Sequence, residues 1–220
     1  SITGSEFAGS ANCTIAATLG QLDCLKYLCE NGEECTMQTV AGACLRGHLS
    51  ILQYLSGLPN ASAIFANANA DAAQGGHIEC LQYALQSGCA IDGDVYKEAA
   101  INGHVQCLQL LHQYGVAWEP RSNIAAAGQP DPACLQFFFE VGCEWNHTVV
   151  WAAAINGHIA TLRYAMGNGC PYLDSVVHDA AVSFSSLECL HYLIDERLLH
   201  MSENVFLNVL QRGDFACVQY

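Results

Sequence analysis

The chain has 220 residues, 52% of them apolar and 13% charged, with 21 Asp and Glu against 7 Lys and Arg for a formal charge of −14. Binding to phosphate rests on Lys and Arg stripes, so this balance argues against nucleic acid and anionic membrane surfaces as direct ligands. No apolar run reaches the length of a membrane span, and no signal-peptide pattern opens the chain.

Residues 1–10 match nothing that follows and read as an irregular leader or cloning scar. From there a single array of about eight units is expected over residues 11–220. The motif A-A-x-x-G-H, followed by x-x-C-L-x-Y, recurs at a spacing close to 27 residues, with copies from Ala16, Ala43, Ala72, Ala99, Ala126, Ala153 and Ala180. Its glycine position falls at Gly20, Gly47, Gly76, Gly103, Pro130, Gly157, about Ser185 and Gly213, slipping only around residues 57–62 and 184–186. A unit this short cannot bury its apolar face alone and must stack on its neighbours, which predicts a solenoid. The eighth copy begins near Val209 and stops at Tyr220 about a turn early, without a polar cap, so a longer array or a poorly ordered tail is expected.

The fourth copy shows the unit most clearly. Val95 to Asn102 predicts a short helix in which Ala99 and Ala100 admit a close neighbour, and Gly103 supplies the left-handed residue that ends it. Val105, Cys107, Leu108, Leu110 and Leu111 then form an apolar stripe at helical spacing, with Gln106, Gln109 and Gln113 opposite. Gly115 closes this second helix, residues 116–121 return the chain, and Ser122 or Asn123 is expected to cap the next unit. Nothing in the return segment alternates like a strand. The column Tyr27, Tyr54, Tyr83, Phe137, Tyr164, Tyr192 and Tyr220 on the second helices is expected in the core, with hydroxyls reaching the surface.

This arrangement resembles the ankyrin repeat. The family pattern T-P-L-H-x-A-A-x-x-G-H is matched in its second half by A-A-x-x-G-H, in full in the copies from Ala72, Ala99 and Ala153, and only loosely in its first half, best by Ser175-Val-Val-His178-Asp-Ala-Ala181. The family's unit is about 33 residues, and the missing six fall in the loop where it places a projecting β-hairpin. The resemblance, closest to the divergent arrays of protists, oomycetes and giant viruses, implies an all-α helix-turn-helix solenoid with short loops in place of hairpins. It also implies a non-enzymatic scaffold, monomeric and cytoplasmic (host cytoplasm for a viral chain), that holds a partner protein on a concave wall of first helices and loops. The alternatives are a spacer or targeting arm of a larger protein and, more remotely, a thiol-rich metal or redox sensor.

Neither metal nor catalytic chemistry is expected. His48, His77, His104 and His158 follow the turn position, and His77/Cys80 and His104/Cys107 have helical spacing, but one pair per layer cannot gather the four ligands zinc takes. The resemblance instead assigns these histidines to backbone bonds between adjacent repeats. The thirteen cysteines include no distinguished thiol beside a base, and no glycine-rich phosphate loop, paired carboxylate motif or G-x-S-x-G is present, so no catalytic residue, cofactor or metal is assigned. Cys24, Cys80, Cys107, Cys134, Cys189 and Cys217 share one repeat position, and Cys89, Cys143 and Cys170 another. Equivalent positions on stacked helices lie about 8–10 Å apart, beyond disulfide reach, so these columns are expected reduced, as in the cytoplasm. The Asn-x-Ser/Thr sequons at Asn12, Asn60 and Asn146 read as chance.

The binding candidates lie at the variable positions around the alanine pair and along the loops. Asp71, Glu98 and Asp179 precede the pair, and Ile101, Asn102, Ile155 and Asn156 follow it. Trp118, Trp145 and Tyr172, with Ile91 before them, share one loop position and form an aromatic edge. Trp151 stands where other repeats hold Lys97, Ile124 and His178, so its environment does not demand an aromatic. The acidic positions favour a partner with a basic contact surface, and the aromatics are its candidate anchors.

Overall fold

The structure, a computed structural model, describes residues 11–91, 94–119, 121–176 and 187–196, together with Glu203 and Leu207. Helices α1 (Ala11–Thr18) and α2 (Leu22–Glu30) form the first pair, and α3 (Met37–Arg46) and α4 (Leu49–Ser56) the second. A short α5 (Ala61–Ile64) precedes the third pair, α6 (Ala68–Gly75) and α7 (Ile78–Gln86). The fourth pair is α8 (Asp94–Ile101) and α9 (Val105–Gln113), the fifth α10 (Ser122–Ala127) and α11 (Ala133–Glu140), and the sixth α12 (His147–Ile155) and α13 (Ile159–Gly167). Helix α14 (Leu187–His191) runs into a π-helical turn, Tyr192–Glu196. No strand occurs among the described residues. The seventh repeat's first helix after Val176, and the eighth copy with its expected ragged end, lie outside them.

The chain divides into two compact units, Ser1–Glu119 and Pro120–Tyr220. In the first, α1, α3, α6 and α8 pack side by side in order; in the second, α10 packs on α12. The alanine pairs make this approach possible: Ala16/Ala17, Ala72/Ala73, Ala99/Ala100, Ala126/Ala127 and Ala153/Ala154 are all buried. Leu25, Leu52, Leu81, Leu108, Leu135 and Leu162, each five residues past its turn position, are fully buried on the second helices. Each such leucine contributes about 2 kcal/mol of apolar burial.

Sequential order is fixed by a contact that runs one repeat backwards. The Nε2 of His48, His77 and His104 lies 3.1, 3.2 and 3.1 Å from the carbonyl oxygens of Thr18, Leu45 and Gln74, in the last turns of the preceding first helices. In the sixth repeat the Thr161 hydroxyl donates to the carbonyls of Gln129 (2.6 Å) and Pro130 (3.3 Å). The Thr18, Leu45 and Gln74 carbonyls lie in the last turn, where no partner is available inside the helix, so the histidine bonds between repeats also complete those helix ends.

Two expectations are corrected. Ser122 and Asn123 do not cap α10: Arg121 is the N-cap residue, and both Ser122 and Asn123 are buried within the helix, where Asn123 Nδ2 donates to Glu144 O at 2.8 Å. The tyrosine column is not core throughout. Tyr83 covers the preceding second helix by a 2.6 Å bond to Ser56 Oγ and Tyr164 by ring contact with Phe139, and Tyr54, Tyr83 and Tyr164 are half-buried. Phe137 and Tyr192 are buried, whereas Tyr27, with no earlier repeat among the described residues to cover, is 65% exposed. Cys24 is exposed for the same reason while Cys80, Cys107, Cys134 and Cys189 are buried, since that column also faces backwards, as Cys107 faces Glu79.

Candidate functional site

In the first unit, packing of α6 on α8 sets Asp71 beside Glu98, the same repeat position one unit apart. Asp71 is half-buried, and burial, with the Glu98 charge second, pushes its carboxyl from 3.8 up to about 6. Ile101, at the end of α8, is 39% exposed. Asn102 is exposed but occupied in closing its own helix, with Nδ2 donating to Glu98 O at 2.8 Å. Asn156 does the same for α12 in the second unit, donating to Ala152 O at 2.8 Å. Beside it Ile155 is half-buried and Trp151 is 38% exposed. Asp179 lies outside the described residues.

The aromatic edge has a firmer attachment than loop packing on loop. Trp118 meets Tyr96 edge-on, with ring centroids 6.2 Å apart, and His112 at 5.7 Å. In the second unit Trp145 lies 4.8 Å from Phe139 and 6.1 Å from Tyr164 of the next repeat. Its indole Nε1 is buried without a hydrogen-bond partner. Both tryptophans are thus half-buried props between a return loop and a second helix, while Ile91 and Tyr172 at the same position are exposed.

Among solved structures, the chain is similar to the crystal structure of the human ASB11 ankyrin repeat domain, with a TM-score of 0.61 and 20% sequence identity, covering 80% of this chain and 94% of that one. The chain has the ankyrin-repeat fold. No protein-family model matches it, and neither does any curated protein.

Within this ankyrin-repeat frame, one position escapes a sequence reading. Seven residues before the turn position stand Cys13, Val40, Asn69, Tyr96, Asn123 and Val150, a column without a common chemistry. Asn69 Nδ2 donates to Ala90 O at 3.0 Å, the Tyr96 hydroxyl to Val116 O at 3.1 Å, and Asn123 to Glu144 O, each fastening the return loop of its own repeat. These bonds do for the short loop what a hairpin's ladder would do for a longer one. The signal was the register, since residues as unlike as Asn and Tyr show no motif.

None of the twelve described cysteines is in a disulfide. Burial pushes Cys80, Cys107 and Cys170 up to about 11, which keeps them protonated and poorly nucleophilic at neutral pH. Cys13, Cys29 and Cys35 differ in being gathered: their sulfurs lie within 4.8 Å of one another. His77 and His104, by contrast, are engaged with backbone, and no described metal-type cluster includes them.

Proposed function

We propose that this ankyrin-repeat array is a non-enzymatic scaffold that holds another protein on the face formed by its first helices, and that the partner presents a basic contact surface. The observation that carries this reading is the Asp71–Glu98 pair, two half-buried carboxyl groups brought side by side on adjacent first helices. Two like charges so placed cost folding energy. A Lys or Arg supplied between them relieves that repulsion and draws the Asp71 proton off. Exposed Ile101 offers apolar ground in the same unit, and Trp151 offers an aromatic anchor on the first helix of the sixth repeat. The charge of −14 steers a basic partner and repels nucleic acid. No helix among the described residues is long and apolar enough to cross a membrane. The reading places a monomer in the cytoplasm, consistent with described cysteines that form no disulfide.

The test is affinity capture from the native cell followed by mass spectrometry, run in parallel with the wild-type chain and with Asp71→Lys/Glu98→Lys. A protein with a basic surface, recovered by the wild type and lost with the double variant, supports the reading. The same captured set in both arms contradicts it and favours a spacer whose activity lies elsewhere in a larger protein.

A further inference from the structure

Three positions of the repeat frame converge where contacts are recorded: seven residues before the turn position, nine after it, and fifteen after it. In the fourth repeat these are Tyr96, His112 and Trp118, whose rings touch. In the fifth they are Asn123, Phe139 and Trp145, of which the last two are in ring contact. In the first repeat all three are cysteines: Cys13 from α1, Cys29 from the end of α2, and Cys35 from the return loop. Thiols stand where other repeats place packing side chains, and the backbone that packs those side chains converges the sulfurs. Cys29 Sγ and Cys35 Sγ are 3.1 Å apart, and Glu33 Oε2 lies 3.9 Å from Cys13 Sγ. The other Glu33 oxygen accepts from Asn12 Nδ2 at 2.9 Å, which orients the carboxylate, and Asn60 Nδ2 donates to Cys35 O at 3.2 Å, which holds the loop.

We propose that Cys13, Cys29 and Cys35, with Glu33 as the fourth ligand, form a zinc site that staples the first repeat. Zinc–sulfur and zinc–oxygen bonds of about 2.3 and 2.0 Å place tetrahedral ligand atoms roughly 3.5–3.8 Å apart. The three sulfurs already lie within 4.8 Å of one another, whereas Glu33, which meets Cys13 at 3.9 Å but stands outside that cluster, must swing toward the other two sulfurs to complete the tetrahedron. Three thiolates select a thiophilic cation over magnesium or calcium. Cys13 is fully buried and Cys35 is 5% exposed, which shields the bound ion from water. Burial and the neighbouring sulfur and carboxylate charges raise Cys13 to about 11, and burial with the adjacent thiols raises Cys35 further. Zinc binding displaces protons from thiol ligands, so affinity rises with pH. The site joins both helices of a pair to its return loop. It does so in the repeat whose α2 leaves Cys24 and Tyr27 exposed, where a cross-link adds most to a short unit.

The full chain, purified under argon with reductant and stripped of metal, is titrated with cobalt(II) alone and then with zinc(II) alone. One cobalt per chain, giving thiolate-to-cobalt charge-transfer absorption and the intense visible bands of a tetrahedral site, and displaced by one zinc, is the expected result. Cys13→Ser, Cys29→Ser and Cys35→Ser should each weaken zinc binding at least 100-fold and Glu33→Gln about 10-fold, while Cys24→Ser leaves it unchanged. Should the serine variants fail to fold, differential alkylation of the wild type decides: zinc should protect Cys13, Cys29 and Cys35 but leave Cys24 reactive. Absence of the charge-transfer band, equal alkylation with and without zinc, or recovery of Cys29–Cys35 as a disulfide from zinc-loaded protein would each overturn the proposal.

Discussion

His77 reaches back one repeat: its Nε2 lies 3.2 Å from Leu45 O, and its ring stands over Gly47, where a Cβ would meet Nδ1 at 2.5 Å. His104 repeats the arrangement over Gly76. The glycine therefore serves two needs, a left-handed turn with φ of 76° and room for the ring that docks the next repeat.

This separates two glycine columns by stability. Gly88 also has positive φ, at 72°, but a Cβ there meets nothing within 4 Å. Gly88→Ala should lose only the left-handed backbone penalty, about 1–2 kcal/mol. Gly47→Ala must also displace a tethered ring and should lose about 1–2 kcal/mol more, for the docking bond to Leu45. Urea unfolding midpoints measure both, and equal losses would show that the ring does not constrain the turn.

Asp71 gives a pH dependence of definite sign. Its folded pKa, about 6, lies above the ordinary 3.8, so the folded chain holds the proton more tightly and stability falls as pH rises through that window. Asp71→Asn should therefore be neutral below about pH 4 and stabilising above pH 6, by roughly 1 kcal/mol after allowing for solvent screening of a half-exposed group. Thermal unfolding across pH 4–7 is the measurement. A stabilisation unchanged across that range would mean the carboxyl is not strained.

Loop fastening is tested at Asn123. Asn123→Ala strands the Glu144 carbonyl and should cost about 1–2 kcal/mol, with faster amide exchange confined first to the return loop, residues 142–146. Loss spread evenly over the fifth repeat would indicate a packing role instead.

The tryptophans divide by attachment. Trp145, wedged against Phe139 and Tyr164, should lose about 2–3 kcal/mol of stability as Trp145→Ala, somewhat less than a fully buried ring. Trp151→Ala should change stability by under about 1 kcal/mol and speed dissociation of the captured partner by about 2 kcal/mol if it anchors the complex. Raising salt should mainly slow association. A complex whose off-rate tolerates Trp151→Ala, and whose on-rate ignores salt, contradicts both assignments.

Much of the fold was legible because it depends on repeated residue types at fixed spacing. Gly47 and His77 declare a turn and its dock, and Leu108 with Leu111 declares a buried stripe. What escaped depends on columns whose members differ in chemistry. Asn69, Tyr96 and Asn123 share a task that only the geometry of their return loops reveals. Cys13, Cys29 and Cys35 share a point in space although 16 and 6 residues separate them along the chain. The tyrosine column misled for a related reason, since its burial depends on the repeat before it, and Tyr27 has none among the described residues. On the candidate surface, Asp71 and Glu98 were legible by position, but the effect of burial and of the Glu98 charge on Asp71 required knowing that α6 packs on α8.

Hydrogen–deuterium exchange of the array with its captured partner tests the central claim most directly, because it reports which face is covered. The account predicts protection on the first helices, Ala68–Gly75 and Asp94–Ile101 in one unit and His147–Ile155 in the other, with little change on Ile78–Gln86 or Val105–Gln113. Protection confined to those second helices would contradict it.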